Sequence, residues 1–119
     1  MPQGRSLLDI PLFYQIYKLY KVLHSYQGSI PKSQRYTLWQ RCENTALALL
    51  ELLISTSHCQ GVERLRLLHA MSHKLDLLKV LIRLAQETRA ITPKQYTAVQ
   101  GILQEVGQMI GGWIKSVAH

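Results

Sequence analysis

The chain has 119 residues, a length that suits one domain built around one hydrophobic core. Lysine and arginine number 14 against 7 acidic residues, so the formal net charge is +7, which favours polyanionic partners but is weak evidence for nucleic-acid binding by itself. The two cysteines lack the spacing of a zinc site or a disulfide framework, and there is neither a signal-peptide pattern nor an apolar run of about 18 residues. These features argue against a secreted or membrane protein and predict a cytoplasmic one with reduced thiols.

A first helix is predicted over residues 11–27. Pro11 suits the first turn, Asp9 can cap it, and Gly28 can supply the left-handed residue that ends it. Apolar side chains at alternating four and three spacing share its inward face: Leu12, Ile16, Leu19, Leu23 and Tyr26. The helix is therefore expected to be amphipathic.

A second helix is predicted over residues 32–56, after a turn that contains Pro31. Its inward face carries Trp39, Cys42, Ala46, Leu49 and Leu53. A second apolar row lies beside this face and consists of Leu47, Leu50 and Ile54. One seam inside a bundle does not need both rows, so the second is expected to make a subunit contact.

A third helix is predicted over residues 63–87, since Gly61 interrupts the pattern before it. Its inward face is Leu65, Leu68, Ser72, Leu75, Leu78 and Ile82, and a flanking apolar row is Leu77, Leu81 and Leu84. Positive charge follows much of the helix, at Arg64, Lys74, Lys79 and Arg83. This helix is expected to be both buried and basic.

A fourth helix is predicted over residues 93–117. Thr92 as N-cap, Pro93 at the first position and Gln95 form a capping-box pattern. The inward face is Val99, Leu103, Val106, Ile110, Trp113 and Val117. Gly107 and Gly111 share a face and indicate either close approach of a neighbouring helix or a flexible, kinked end.

These four helices with short connections predict an all-α fold, an antiparallel up-down-up-down four-helix bundle that forms a single domain over residues 1–119. Catalytic and metal-binding patterns are weak. His69 and His73 lie one helical turn apart but lack a third ligand or an HExxH glutamate, and His58 beside Cys59 lacks an orienting group. The acidic residues form no acid-base pair, so we predict no catalytic residue, no metal and no cofactor.

Basic residues are more organised than the acidic ones. Lys32 and Arg35 lie at the start of the second predicted helix, and Lys79 and Arg83 lie one turn apart on the third. Such side chains contact phosphates without reading sequence, which favours recognition of shape or of single strands.

Aromatic and basic residues alternate on the first predicted helix, where Lys18 and Lys21 follow tyrosines. Tyrosines beside lysines can stack the bases of a single strand. Packing into the core is the alternative for Tyr20 and Tyr17, so Tyr14, Lys18 and Lys21 are the residues expected to be exposed together.

Three segments carry a family resemblance: residues 30–38 (IPKSQRYTL), 91–96 (ITPKQY) and 105–114 (EVGQMIGGWI). Together they resemble the accessory variability determinant (Avd) family, the helper proteins of diversity-generating retroelements, over nearly the whole chain. The resemblance implies a four-helix bundle assembled as a ring-like homopentamer. It also implies binding of the element's reverse transcriptase and template RNA, with DNA as a further candidate, in mutagenic complementary DNA synthesis.

The family has no known catalytic residues, so the resemblance carries over a binding role to basic positions only: Lys32, Arg35, Lys79 and Arg83. Related four-helix proteins encoded in intervening sequences of 23S ribosomal RNA genes share the fold. Their Asn-Ile-Ala-Glu-Gly-like stretch is absent from residues 45–57. A protein-protein adaptor whose basic residues bind an acidic partner is the other alternative, and an enzyme based on His69 and His73 ranks last.

Overall fold

Four long helices, one short α-helix and one 3-10 turn lie within residues 10–118, the part of the chain that this computed structural model describes. They are α1 Pro11–Ser25, α2 Lys32–Arg35, α3 Leu38–Ser57, α4 Gly61–Glu87 and α5 Pro93–Ala118. α1 and α4 each pack against both α3 and α5, so the long helices form a closed ring around one core.

The direction of the helices follows from the lengths of their connections. α4 has 27 residues and is about 40 Å long, whereas residues 58–60 and 88–92 that flank it can span only about 10–18 Å. Connections this short join neighbouring ends, so α4 is antiparallel to both α3 and α5. The hydrogen bond from Trp39 Nε1 to the Leu23 carbonyl places the start of α3 beside the end of α1, so these two helices are antiparallel as well. The predicted all-α four-helix bundle is confirmed.

α1 begins as predicted at Pro11 but ends at Ser25, two residues before the predicted end. The chain then makes a 3-10 turn over Gln27–Ser29. Gly28 does not adopt the left-handed conformation that we expected, because positive φ occurs in the described chain only at Gly61 and Arg89. Asp9, the predicted cap, lies outside the described residues.

The segment predicted as one helix over 32–56 is two helices, α2 and α3, separated at Tyr36 and Thr37. Thr37 has φ −119° and ψ −95°, which is not helical. Ile30 before α2 and Trp39 after it are both buried, whereas the side chains between them are exposed or half-buried. The break turns the chain so that both apolar residues reach the core.

α4 begins at Gly61, two residues before the predicted start, and ends in a Schellman motif. The Ala90 amide donates to the Ala85 carbonyl (2.7 Å), and the Arg89 amide donates to the Gln86 carbonyl (3.1 Å). Arg89 occupies the left-handed position of this motif with φ +64°, where glycine is usual.

α5 begins with the predicted capping box. The Gln95 amide donates to Thr92 Oγ1 (3.1 Å) and the Thr92 amide donates to Gln95 Oε1 (3.0 Å). The helix then continues without interruption to Ala118. Close approach is found at Gly107, where an added Cβ would lie 3.4 Å from Leu75 Cδ2, but a Cβ at Gly111 would meet open space.

The predicted inward faces of α1 and α3 are buried, apart from the half-buried Tyr26. The α4 face differs, because Leu65 and Ser72 are half-buried and Met71 is fully buried in their place. On α5, Trp113 and Val117 are also only half-buried. The buried face of α4 is therefore rotated slightly from the predicted one, towards Met71.

Candidate nucleic-acid interface

The first apolar row, Leu47, Leu50 and Ile54, lies on the side of α3 that faces α1. Leu47 and Ile54 are exposed and Leu50 is half-buried. The row continues the spacing of Glu43, whose Oε2 lies 3.6 Å from Nδ1 of His24 on α1. These leucine and isoleucine side chains are therefore available beside the groove between α1 and α3.

The second apolar row, Leu77, Leu81 and Leu84, lies on the side of α4 that faces α3. Leu77 lines a surface cavity of about 360 Å³ together with Leu52 of α3 and His73 and Lys74 of α4. Leu47 and Leu52 are five positions apart, or about 140° around α3. The two apolar rows therefore lie on different sides of the bundle.

The outward face of α1 carries tyrosines and lysines. Tyr14 is 57% exposed and Tyr17 is 45% exposed, so Tyr17 does not take the core position that was the alternative for it. A surface groove of about 520 Å³ lies among Tyr14, Tyr17, Lys18, Lys21, Val22 and Ser25. Tyr20 is half-buried and stacks on His24, with ring centroids 5.8 Å apart.

Tyr17 is held from two sides within this face. The ring of Phe13 stacks against it with centroids 5.8 Å apart, and Nζ of Lys21 lies 5.5 Å from its centroid. An ammonium at that distance from a ring makes a cation–π contact. Aromatic and positive groups thus alternate on the outward face of α1.

Lys32 and Arg35 lie on α2 at one end of the bundle. Lys32 is exposed, whereas Arg35 is half-buried and its Nη2 donates to the carbonyls of Ile30 (3.0 Å) and Gly28 (3.3 Å). Arg35 thereby fixes the connection between α1 and α3. Lys32 is the more accessible of the two cations for a phosphate.

Lys79 and Arg83 are exposed on the side of α4 that faces α5. Lys79 lines a shallow pocket with Gln100 and Gln104 of α5. Arg83 Nε donates to Oε2 of Glu87 at 3.1 Å, so part of its charge is offset. An ion pair this exposed contributes little to stability and can exchange for a phosphate contact.

The predicted site residues form three groups rather than one. Lys18 and Lys21 on α1 lie diagonally across the bundle from Lys79 and Arg83 on α4, and the α2 residues lie at one end. The sequence prediction missed Arg89 and Lys94. Gln34 of α2 exchanges hydrogen bonds with Thr88, which directly precedes Arg89, so Arg89 lies at the same end of the bundle as Lys32. Lys94 lies at this end as well, because it is in the first turn of α5. The short connection that ends at Pro93 was the sequence signal that could have placed Arg89 and Lys94 at this end.

Two titratable groups are buried near the α2 end. Glu43 is 6% exposed and its Oε2 accepts no hydrogen bond within the described structure. Burial raises the pKa of the neighbouring Cys42 thiol to about 12, with a further contribution from the charge of Glu43. Neither side chain is open to a substrate.

Residues 10–118 show neither a metal site nor a membrane span. His69 and His73 are both exposed on α4, and the described residues contain no cluster of three or more metal-ligating side chains. Within the same range, none of the helices combines the length and apolar character needed to cross a bilayer.

The bAvd-like family model matches residues 12–117, which include almost all of the four long helices. The chain belongs to the bAvd-like family. The resemblance to Avd proteins is thereby confirmed, and the bAvd-like chain is an accessory protein of the Avd type, in a family that is in general non-catalytic. A search of curated proteins finds no match to it.

Proposed function

We propose that this bAvd-like protein is a non-catalytic accessory subunit of a diversity-generating retroelement. It acts in the cytoplasm and binds the element's reverse transcriptase and template RNA during mutagenic complementary DNA synthesis. The family match over residues 12–117 carries the proposal. The distribution of charge and apolar surface supports it in two independent ways.

The first support is electrostatic. The formal net charge is +7, and few of the lysine and arginine side chains within residues 10–118 form ion pairs. The Lys/Arg ion pairs within the described part of the chain are Arg66 with Glu63 and Arg83 with Glu87. Lys18, Lys21, Lys32 and Lys79 therefore remain available to neutralise phosphates and release counterions, which favours RNA and would also favour DNA.

The second support concerns assembly. The two apolar rows, 47/50/54 and 77/81/84, lie on different sides of the bundle, and each includes exposed side chains. Two distinct patches suit a head-to-tail contact, in which one patch of each subunit packs on the other patch of the next. A contact of this kind closes into a ring when the rotation between neighbouring subunits completes a full turn. Because the resemblance to Avd proteins implies five subunits, we propose a homopentamer held by these rows.

Salt dependence tests the RNA interaction. We expect affinity for template RNA to fall on the order of tenfold or more between about 50 mM and about 200 mM salt. We expect Lys79→Glu with Arg83→Glu to weaken binding further. A matched control is Arg66→Glu with Lys115→Glu, which also reverses one ion-paired arginine and one exposed lysine, at the other end of the bundle. Affinity that does not depend on salt would contradict the electrostatic mechanism.

The same variant separates the RNA-binding function from a protein adaptor. In an adaptor, Lys79 and Arg83 bind an acidic surface of the reverse transcriptase and nothing else. Loss of reverse-transcriptase association by Lys79→Glu with Arg83→Glu, at unchanged RNA affinity, would favour the adaptor.

Light scattering tests the assembly. Leu47→Glu with Ile54→Glu places two charges in the first apolar row, and we expect it to convert the pentamer to monomer. Val62→Glu is the matched control, because Val62 is 86% exposed in the first turn of α4 and belongs to neither row. A wild-type protein that is monomeric at micromolar concentration would contradict the ring.

A further inference from the structure

Two identical aromatic and basic units lie side by side on α1. Tyr14 precedes Lys18 by four residues and Tyr17 precedes Lys21 by four residues. Residues four apart are neighbours on a helix surface, so each tyrosine ring lies one turn from one ammonium group. The two units are offset by three residues and share the outward face of the helix.

The tyrosines of these units are exposed, whereas other aromatic side chains of α1 pack against the core. Tyr20 and Tyr26, also in or next to α1, are half-buried against the core, whereas Tyr14 and Tyr17 project outward. The groove of about 520 Å³ between them and the lysines is open to solvent. Two large rings are thus presented at the surface beside positive charge.

The charge of this face is of one sign. α1 contains no acidic residue, and Lys18 and Lys21 take part in none of the ion pairs found within residues 10–118. A partner that complements the face has negative charges and flat apolar rings in alternation. A nucleic-acid strand offers this combination, whereas an acidic protein surface offers the charge without the rings.

We propose that the outward face of α1 binds single-stranded RNA, with bases stacked on Tyr14 and Tyr17 and phosphates held by Lys18 and Lys21. This inference rests on the proposed function, because it identifies how the accessory protein holds its template. Phe13 stacks on the Tyr17 ring and holds its orientation in advance, which lowers the entropic cost of binding. A phosphate beside Lys21 draws the ammonium away from Tyr17 and leaves that ring face for a base.

Stacking on Tyr14 and Tyr17 should give a preference for single strands over duplexes that the other basic groups do not confer. Bases in a duplex stack on one another and present only their edges, so they cannot reach a tyrosine ring without unpairing. Lys32, Lys79 and Arg83 contact phosphates of single strands and duplexes alike. The rings of Tyr14 and Tyr17 therefore add affinity for single-stranded RNA alone, whereas Lys18 and Lys21 contact phosphates of both forms.

Fluorescence polarisation with two probes tests this. One probe is a labelled single-stranded RNA of mixed sequence, and the other is the same strand annealed to its complement. We expect the variant Tyr14→Leu with Tyr17→Leu to bind the single strand more weakly, by about fivefold or more for each ring removed. Its affinity for the duplex should not change. Tyr14→Phe with Tyr17→Phe keeps the rings and should bind both probes as the wild type does.

Tyr36→Leu is the matched control, since Tyr36 is 68% exposed and lies between α2 and α3. Circular dichroism checks that each variant is folded. The inference is overturned if the double leucine variant binds the single strand as tightly as the wild type, or if it loses affinity for both probes equally. It is also overturned if that variant loses reverse-transcriptase association while RNA affinity is unchanged, because the face then binds protein.

The outcomes separate this inference from the proposed function. If the wild type and the double leucine variant bind both probes equally well, the α1 site is ruled out and the proposed RNA binding stands. If the wild type binds neither probe at low salt, both the α1 site and the proposed RNA binding are ruled out.

Discussion

The indole Nε1–H of Trp39 donates a hydrogen bond of 3.1 Å to the main-chain carbonyl of Leu23, and both side chains are fully buried. The bond joins the first turn of α3 to the last turns of α1. Between these two residues the chain forms the 3-10 turn and α2, with Lys32 and Arg35. This buried hydrogen bond therefore fixes where the connection that carries Lys32 and Arg35 leaves α1 and where it enters α3.

Replacing Trp39 by Phe should destabilise the fold by about 1–3 kcal/mol, because it removes this hydrogen bond and leaves a small cavity. Urea denaturation followed by circular dichroism measures the change. Trp113→Phe is the matched control, since Trp113 is half-buried and Cζ of Arg64 lies 5.3 Å from the centroid of its ring. An equal loss in both variants would show that ring size, and not the bond to Leu23, is responsible.

Replacing Arg89 by Gly should stabilise the protein by about 0.5–1 kcal/mol. Arg89 has φ +64°, a conformation in which a Cβ is strained and glycine is not. Arg89→Ala removes the same charge but keeps the Cβ, so its free energy of unfolding should stay near that of the wild type. If alanine stabilises as much as glycine, the gain comes from charge and the backbone argument is wrong.

Replacing Gly111 by Ala should stabilise α5 by about 0.5–1 kcal/mol, because alanine is the better helix former and the added methyl group meets no atom within 4 Å. Gly107→Ala should gain less, since its methyl group must fit against Leu75. Gly61→Ala should lose stability, because Gly61 has φ +59°. Thermal unfolding of the three variants gives the order, and a loss at Gly111 would contradict the open space seen beside it.

The two cysteines should differ in their reaction with a thiol reagent at pH 8. Cys42 is fully buried and its pKa is raised to about 12, so it has almost no thiolate, whereas Cys59 is only partly buried. We expect one cysteine to react in the folded protein and two in denaturant. Cys59→Ser should abolish the reaction of the folded protein, and a persisting reaction would show that α3 opens at Cys42.

Local sequence patterns predicted much of the fold. The buried face of α1 followed from apolar spacing, and the capping box at Thr92 and Gln95 followed from neighbours in the chain. The outward apolar rows at Leu47 and Leu84 followed from periodicity as well, because the residues that lie outside the inward face of a helix can be read from the same spacing.

Features that depend on distant contacts were not predictable. The separation of α2 from α3 accompanies the Gln34 bonds to Thr88, which is 54 positions away. The left-handed turn at Arg89 lacks the glycine that would have signalled it. The exposure of Tyr17 depends on how far α3 covers the edge of α1, which spacing along α1 does not determine.

The engagement of Arg35 with the carbonyls of Gly28 and Ile30 has a consequence for any mutational scan of the basic surface. Substitution of Arg35 changes the path of the chain that carries Lys32, whether or not the guanidinium ever meets a phosphate. The losses from Arg35→Ala and Lys32→Ala are therefore expected to be non-additive in a double-mutant cycle. At this end of the bundle the unit of recognition is the folded connection, and its contribution should disappear as a whole when the connection loosens.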